Sequence, residues 1–181
     1  MSTNQAILIV DDKQPNLVAL ERLLEKTGAK IVRALNGNEA LAASLREPFA
    51  LAILDVQMPE MDGFELASIL RRNEPTRSLP IIFVSAIYTD PSHIFRGYGA
   101  GGVDFLIKPY EPDILLAKVE FFLLLDRQKR MLVDRAKIEK SRNYLENILS
   151  SMTDAVLVTS PDLKIQTANA AAKALLQCQQ K

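Results

Sequence analysis

Cysteine, histidine and net charge are all scarce in this sequence. The only cysteine, Cys178, has no second cysteine to pair with, which excludes an intrachain disulfide and favours a reducing compartment, by default the cytoplasm. Lysine plus arginine total 22, and aspartate plus glutamate also total 22. Because no net field draws the chain to nucleic acid or to anionic lipid, we expect neither as a partner.

Long hydrophobic runs are absent as well. A membrane-spanning helix needs ~20 consecutive apolar residues, and the longest candidate, residues 121–125, is far shorter. Residues 1–5 are polar and lead directly into a strand-like run, which does not fit a secretory signal peptide. We therefore expect a chain that stays out of membranes, with one globular core and a remainder that forms a linker or a further fragment.

Short β-rich apolar runs alternate with helical patterns up to residue 120. This alternation is typical of an α/β fold with a doubly wound parallel sheet buried on both sides. For five strands the most frequent order is flavodoxin-like, 2-1-3-4-5, with ligands bound at the carboxyl ends of the strands. In the second helical segment, Ala42 and Leu45 are predicted to face the core. The predicted strands are residues 7–10, 31–34, 51–54, 81–84 and 104–107, and the predicted crossover helices are 16–26, 38–46 and 64–72.

A long helical pattern follows Pro112 and meets no strong breaker before residues 150–154, which predicts one long C-terminal helix or a helix with one break. Every seventh residue along one stripe is apolar, which is the period of a supercoiled helix pair. The positions four residues further on are mostly polar, so two interpretations stay open: a homodimer through a partial coiled coil, or a solvated linker helix. The apolar stripe is Leu124, Met131, Ile138, Leu145 and Met152, and the companion positions are Gln128, Arg135, Arg142 and Leu149.

The end of the sequence returns to a strand period. Residues 155–159 and 163–167 flank a turn at 160–162, and an alanine-rich helix begins at Asn169. Two strands and a short helix cannot bury a face by themselves, so we expect a partial α+β tail that is the truncated start of a larger domain. The predicted divisions are residues 1–125 for the α/β domain, 126–150 for the linker helix and 151–181 for the tail.

Three carboxylates are predicted to meet at one edge of the sheet. Asp11 and Asp12 end the first strand and Asp55 ends the third, and the carboxyl ends of parallel strands share an edge. Neighbouring carboxylates repel one another unless a cation lies among them. Mg²⁺ is the expected cation, since it prefers oxygen ligands and works with phosphate groups.

Two further strand ends supply groups that can bind phosphoryl oxygens. Ser85 follows the fourth strand, and Lys108 with Pro109 follows the fifth. A lysine ammonium and a serine hydroxyl can each hold one oxygen of a transferring phosphoryl group, and the metal can neutralise another. With the charge balanced in this way, Asp55 can act as a nucleophile and form an acyl phosphate.

This set of residues resembles the receiver-domain family of response regulators in two-component signalling. The resemblance covers residues 5–125 and includes the stretch LDVQMPEMDG, residues 54–63, which is similar to the family's sequence around its phosphoacceptor. It implies that a histidine kinase or phosphotransfer protein phosphorylates Asp55 in a phosphorelay, and that the domain catalyses its own phosphorylation and dephosphorylation. It also implies the remaining roles: Asp12, Asp55 and the Gln57 backbone carbonyl bind Mg²⁺ directly, Asp11 binds it through water, and Ser85 and Lys108 bind the phosphoryl group.

A conformational switch is implied by the same resemblance. In the family, the hydroxyl residue, here Ser85, moves toward the phosphoryl group and an aromatic residue near the fifth strand rotates inward. Phe105 occupies that position, where many family members have tyrosine. A hydroxyl contact to a partner is therefore lost, while the packing change stays available.

The phosphoryl donor and the output are expected to lie elsewhere. The only histidine, His93, is at a predicted helix start, where a surface or capping role is expected, so the chain alone is not a complete histidine kinase. Residues 143–171 resemble the start of a PAS sensor domain. This resemblance implies a C-terminal PAS and output domain in cis, such as a hybrid histidine kinase or a nucleotide cyclase.

Two other interpretations of the acidic site are possible. A phosphatase or phosphotransferase with its nucleophile on the first strand normally has two aspartates separated by one residue, whereas Asp11 and Asp12 are adjacent. A receiver that serves only as a dimerisation scaffold would not need Asp55, Ser85 and Lys108 all intact. Both alternatives therefore fit the sequence less well than a phosphoacceptor.

Overall fold

The computed structural model describes residues 5–86, 104–151, 153–162 and 164–178, and it divides the chain into two units, Met1–Arg127 and Gln128–Lys181. The sequence-based expectations for His93, Met152 and residue 163 lie outside the described residues. No helix within the described ranges is long and apolar enough to cross a membrane.

The first unit is built on a five-stranded parallel sheet in the order β2-β1-β3-β4-β5, which confirms the predicted flavodoxin-like order. The observed strands reproduce the predicted ones to within one residue at each end. Asp55 and Ser85 are the last residues of their strands, so Ser85 belongs to the fourth strand rather than following it. The strands are β1 Ala6–Val10, β2 Lys30–Ala34, β3 Leu51–Asp55, β4 Ile81–Ser85 and β5 Asp104–Ile107.

Side chains that alternate along each strand feed two separate cores, one on each face of the sheet. Leu8 and Val10 of β1 point to the same face as α2 and α3, whereas Ile7 and Ile9 point to the face covered by α1 and α4. Every residue of β1, β3 and β4 is buried, but the edge strands β2 and β5 are only partly buried. Burial on both sides therefore holds for the three central strands alone. The helices are α1 Gln14–Leu24, α2 Gly37–Arg46, α3 Gly63–Arg72 and α4 Pro112–Ser151.

The predicted buried stripe of α2 is wrong. Leu45 is 77% exposed and Ala42 is also exposed, whereas Ala40 and Ser44 are buried. The face that packs on the sheet runs through Ala40 and Ser44, four residues apart. Ser44 can be buried because its hydroxyl donates to the Leu41 carbonyl at 2.8 Å. Because the buried face contains a serine, the spacing of apolar residues alone does not identify it.

The long helix predicted after Pro112 is confirmed as a single α4 of 40 residues. Its first turns pack Leu115, Val119 and Leu123 into the core on the α1 side of the sheet. Gln5, a buried residue just before β1, donates its side-chain amide to the Leu123 carbonyl and to Asp126, both at 2.8 Å. These bonds attach α4 to the first strand. From residue 131 to residue 148 every side chain of α4 is exposed.

The second unit contains a short antiparallel hairpin and a helix after α4. The strands are β6 Leu157–Thr159 and β7 Ile165–Ala168, followed by α5 Ala170–Cys178. Buried Asn169 joins them: its side-chain oxygen accepts from the backbone N–H groups of Val156 and Ala172, and its amide donates to the Asp154 carbonyl. Two strands and a helix are thus present where the sequence predicts them, although β6 and β7 each begin two residues later than predicted.

Candidate functional site

The carboxyl edge of the sheet collects the residues that the sequence singled out. Asp11 directly follows β1 and continues its ladder, since its backbone N–H donates to the Ala34 carbonyl. Asp55 and Ser85 are the last residues of β3 and β4, and Asp55 pairs with Val84 in register. Lys108 follows β5, and its backbone N–H donates to the Ser85 carbonyl at 2.7 Å. The strand register thus brings all four residues to one edge.

Lys108 bridges the two buried carboxylates of this edge. Its ammonium donates to Asp11 Oδ2 at 2.8 Å and to Asp55 Oδ1 at 2.6 Å. The side chains of Asp11 and Asp55 are each only 8% exposed, and that of Lys108 is 26% exposed. Because the positive charge lies between them, the repulsion of two neighbouring carboxylates is largely offset. The Lys108–Pro109 peptide bond that follows is cis.

Asp11 is held in place by more than the lysine. Its Oδ1 accepts from the Lys13 backbone N–H and from the Asn16 side-chain amide, both at 2.9 Å, and the same amide reaches Oδ2 at 3.0 Å. Asn16, in the first turn of α1, was not predicted as a site residue. The signal that could have revealed it is its spacing, since an amide one helical turn past a strand end can reach back to the carboxylate there.

Asp55 is less fully hydrogen-bonded than Asp11. Its Oδ2 accepts from the Gln57 backbone N–H at 3.1 Å, and its Oδ1 accepts from Lys108. Burial raises the pKa of the Asp55 carboxyl, Lys108 lowers it and the charge of Asp11 raises it again, so that the net pKa is above its ordinary value. Burial lowers the pKa of the Lys108 ammonium, but Asp11 and Asp55 more than offset this effect and the net pKa is raised.

The donor set at this edge has the chemistry that Mg²⁺ requires. Asp11 and Asp55 offer hard carboxylate oxygens and already share one cationic group, the Lys108 ammonium. Asp12 is partly exposed and Gln57 is exposed. Within the part of the chain that the structure describes, no three His, Cys, Asp or Glu side chains are grouped closely enough to hold a metal ion. The residues fit the ion in kind, and the Mg²⁺ assignment stays a prediction.

The start of α3 lies directly against the backbone of Asp55. A Cβ atom on Gly63 would lie 2.4 Å from the Asp55 carbonyl oxygen and 3.1 Å from Val56 Cα, so no side chain fits there. The Gly63 N–H donates to the Val56 carbonyl at 3.1 Å. Asp62 and Glu65 close the helix start with a reciprocal capping box. The glycine therefore sets the distance between α3 and the loop that follows Asp55.

Three phenylalanines pack beneath the site. The ring centroids of Phe64 and Phe83 are 4.9 Å apart, and Phe105 lies 5.3 Å from Phe83 and 6.1 Å from Phe64. Phe83 and Phe105 are register partners on β4 and β5, and Ser85 is almost completely buried two residues after Phe83. Ser85 and Phe105, the two predicted switch residues, are thus connected through one strand pair.

Tyr110 is a second neighbour of the site that was not predicted. Burial raises the pKa of its phenol, the charge of Lys108 lowers it, and the charges of Asp11 and Asp55 raise it, so that the net pKa is above its ordinary value. It packs against the core cluster of α1 and α4. No pattern in the sequence pointed to it, because a tyrosine in a loop two residues after a lysine has no distinctive spacing.

Comparison with known proteins gives a consistent answer. The sequence matches the response regulator receiver domain over residues 7–120. The transcriptional regulatory protein SrrA of Staphylococcus aureus (strain NCTC 8325 / PS 47) is 33% identical over 117 residues, which are 65% of this chain and 47% of SrrA. The chain thus spans about half the length of the curated relatives it matches.

Solved structures resemble the first unit in the same way. A putative response regulator from Chloroflexus aurantiacus J-10-fl aligns with a TM-score of 0.63 at 34% identity, covering 67% of this chain and 99% of that one. The receiver domain of the sensor histidine kinase PA1611 from Pseudomonas aeruginosa PAO1, which has a magnesium ion coordinated in its active site cleft, aligns with a TM-score of 0.61 at 25% identity. That alignment covers 67% of this chain and 98% of the other.

Proposed function

The chain belongs to the response regulator receiver domain family, and on this premise we propose that Asp55 is a phosphoacceptor. Receiver domains of this kind receive phosphoryl groups from histidine kinases, so the proposed partner is a histidine kinase or a phosphotransfer protein. The observation that carries the proposal is the Lys108 ammonium, 2.6 Å from Asp55 Oδ1 and 2.8 Å from Asp11 Oδ2. It supplies a positive charge beside a buried carboxylate nucleophile.

The proposed transfer step exchanges one bond to phosphorus for another. An Asp55 carboxylate oxygen attacks the phosphorus of a phosphohistidine donor, the P–N bond breaks with its electron pair left on the imidazole, and that nitrogen then takes a proton from solvent. Lys108 holds one phosphoryl oxygen by charge, and the Ser85 hydroxyl donates to another. Water later attacks the phosphorus of the acyl phosphate, the P–O bond to Asp55 breaks and inorganic phosphate leaves. The restored Asp55 carboxylate then allows Lys108 to return to its bridging position.

Mg²⁺ is the proposed cofactor of this step. Asp12, Asp55 and the Gln57 backbone carbonyl would bind it directly, and Asp11 would bind it through water. The ion would neutralise charge on the phosphoryl oxygens. The magnesium found in the PA1611 receiver domain supports this assignment, as does the oxygen chemistry of the donors.

The proposed output is a change in packing that begins at Ser85 and Phe105. When the Ser85 hydroxyl moves to the phosphoryl group, β4 and β5 readjust and Phe105 shifts against Phe83 and Phe64. We propose the division into a receiver domain at 1–125, a linker helix at 126–150 and a PAS-like start at 151–181. In this scheme the PAS-like part and an output domain receive the signal in cis in the cytoplasm, and the receiver works as one part of a hybrid signalling protein.

Intact mass spectrometry tests the phosphoacceptor directly. The chain is incubated with acetyl phosphate in Mg²⁺ and, separately, in EDTA, and Asp55→Asn is compared with Asp104→Asn. Asp104 is a suitable control because it is a partly buried carboxylate of the same sheet that pairs with Lys118. We expect one phosphoryl group on the wild type and on Asp104→Asn in Mg²⁺ only, and none on Asp55→Asn. A wild type that gains no phosphoryl group and is not stabilised by Mg²⁺ would instead be a scaffold.

A further inference from the structure

The exposed part of α4 carries a shallow concavity with a regular lining. It is formed by Gln128, Met131, Leu132, Asp134, Arg135 and Ile138. Three of these side chains are large apolar groups in contact with solvent: Met131 is 58% exposed, Leu132 is 67% exposed and Ile138 is 70% exposed. Apolar side chains gathered on one exposed helix face favour a binding surface over a solvated linker.

The six lining residues form two overlapping sets with the spacing i, i+3, i+4, i+7. Residues 128, 131, 132 and 135 make the first set, and residues 131, 134, 135 and 138 make the second. Four residues with this spacing form the hole into which a side chain of a facing helix inserts in a coiled coil. The concavity is therefore two consecutive coiled-coil holes on one helix.

We propose that a second copy of this chain occupies these holes, with the two α4 helices parallel and in register. Met131 of one copy then enters the hole at 128, 131, 132 and 135 of the other, and Arg135 enters the hole at 131, 134, 135 and 138. The second hole contains Asp134. By the two-fold symmetry of the pair, each Arg135 guanidinium meets the Asp134 carboxylate of the other copy.

Charge decides between the two possible directions of the second helix. If the helices were antiparallel across the same two holes, Arg135 would enter the hole formed by Gln128, Met131, Leu132 and Arg135. Two arginines of opposite copies meet in either direction, because both holes contain Arg135. The antiparallel hole, however, contains no acidic residue to offset their charge. The parallel arrangement gives each arginine a carboxylate, so it is the favoured one.

The same alternation continues one heptad further. Ile138 and Leu145 follow Met131 at intervals of seven, and Arg142 follows Arg135. The Arg142 guanidinium pairs with Glu146 of its own helix at 3.3 Å. Polar layers inside a coiled coil fix register and oligomeric state while lowering stability. The structure therefore assigns α4 a dimer of low affinity and defined register, and this assignment does not depend on phosphorylation of Asp55.

Cysteine cross-linking tests the arrangement on the full chain. In a Cys178→Ser background, single cysteines replace Met131, Ile138 or Lys137, the last of which lies outside both holes. A parallel in-register pair brings each residue of the core stripe next to its own copy, within the Cα separation of about 4.4–6.8 Å that a disulfide spans. We expect oxidation to link Met131→Cys and Ile138→Cys into dimers but not Lys137→Cys. Equal linkage at all three positions, or none, would overturn the proposal.

Sedimentation equilibrium tests the charged layer separately. Asp134→Arg is expected to weaken the dimer by about tenfold, because two ion pairs are lost and like charges meet. The double variant Asp134→Arg/Arg135→Asp is expected to recover most of that affinity. Lys137→Glu changes the charge by the same magnitude outside both holes and should leave the affinity unchanged. If the charge swap restores nothing, or if Lys137→Glu weakens the dimer equally, the parallel register is wrong. Because Asp55 is intact in every variant, phosphorylation measured in parallel fails only if the proposed function itself fails.

Discussion

Removal of the Lys108 ammonium is the perturbation whose effect the structure defines best. In Lys108→Gln, the carboxylates of Asp11 and Asp55 lose the cation that both contact, and each is only 8% exposed. Removing one partner of a fully buried ion pair costs about 3–5 kcal/mol. Because the Lys108 side chain is 26% exposed, water and salt can screen part of this loss. We therefore expect the free energy of unfolding in EDTA to fall by about 1–3 kcal/mol.

Addition of Mg²⁺ should reverse much of that loss. In the wild type the ion must compete with the ammonium for Asp11 and Asp55, whereas in Lys108→Gln the two carboxylates have no competing cation. A ligand that binds only the native state stabilises it by an amount that grows with its affinity. The stabilisation by a fixed concentration of Mg²⁺ should consequently be larger for Lys108→Gln than for the wild type.

Urea unfolding followed by circular dichroism measures both effects. Lys118→Gln is the matched control, since the Lys118 side chain is 31% exposed, close to that of Lys108, and pairs with a single carboxylate, Asp104, in the same unit. A single ion pair that is about one-third exposed contributes about 0.2–1 kcal/mol, and its loss should not respond to Mg²⁺. The reasoning is refuted if Lys108→Gln loses no more stability in EDTA than Lys118→Gln, or if Mg²⁺ stabilises the wild type more than the variant.

Three further predictions concern single residues of the site. Asn16→Ala should reduce Mg²⁺ affinity by about tenfold or more, because Asp11 loses an orienting donor, and isothermal titration checks this. The raised pKa of Asp55 means that its contribution to stability is full below pH 3.8 and is lost as the pH rises through the native pKa. In EDTA, Asp55→Asn should therefore be more stable than the wild type at pH 7 and should lose that advantage below pH 3.8 in a urea series. Gly63→Ala should destabilise by more than about 2 kcal/mol, because its Cβ atom meets the Asp55 carbonyl. Gly28→Ala, strained only by its φ of 70° with no atom within 4 Å, should cost about 1 kcal/mol in the same assay.

The sheet and the edge that carries the site were predictable because strand order and strand ends follow from a period that the sequence displays. Continuous apolar runs defined β1, β3 and β4, and the polar residues that end them were necessarily at one edge. The spacing between Asp11 and Asn16 allows a contact between their side chains but does not establish one. Whether Asn16 reaches back to a carboxylate depends on the angle at which α1 leaves the strand, which is a property of packing rather than of residue type.

The buried face of α2 was predicted wrongly because it, too, depends on packing. In α2, the hydroxyl of buried Ser44 donates to the Leu41 carbonyl, so this polar residue can occupy the face that packs on the sheet, while Leu45 lies in solvent. The positions of the apolar residues therefore predict the wrong buried face for such a helix. Lys108 was predicted at the same edge as the carboxylates, but strand ends alone do not show that its side chain contacts Asp11 as well as Asp55.

The two hydrogen bonds of Gln5 constrain when the first unit can become complete. They join residues separated by 118 and 121 positions in sequence, at the start of β1 and near the last core residue of α4. During synthesis β1 emerges before the other strands of the sheet. The residues of α4 that accept hydrogen bonds from the Gln5 amide and cover the core on the α1 side emerge last in this unit. Contacts of such long sequence separation form late and slow folding. A nascent chain that ends before Leu123 therefore exposes part of the core on the α1 side of the sheet, and the unit closes only after the first turns of α4 have been made.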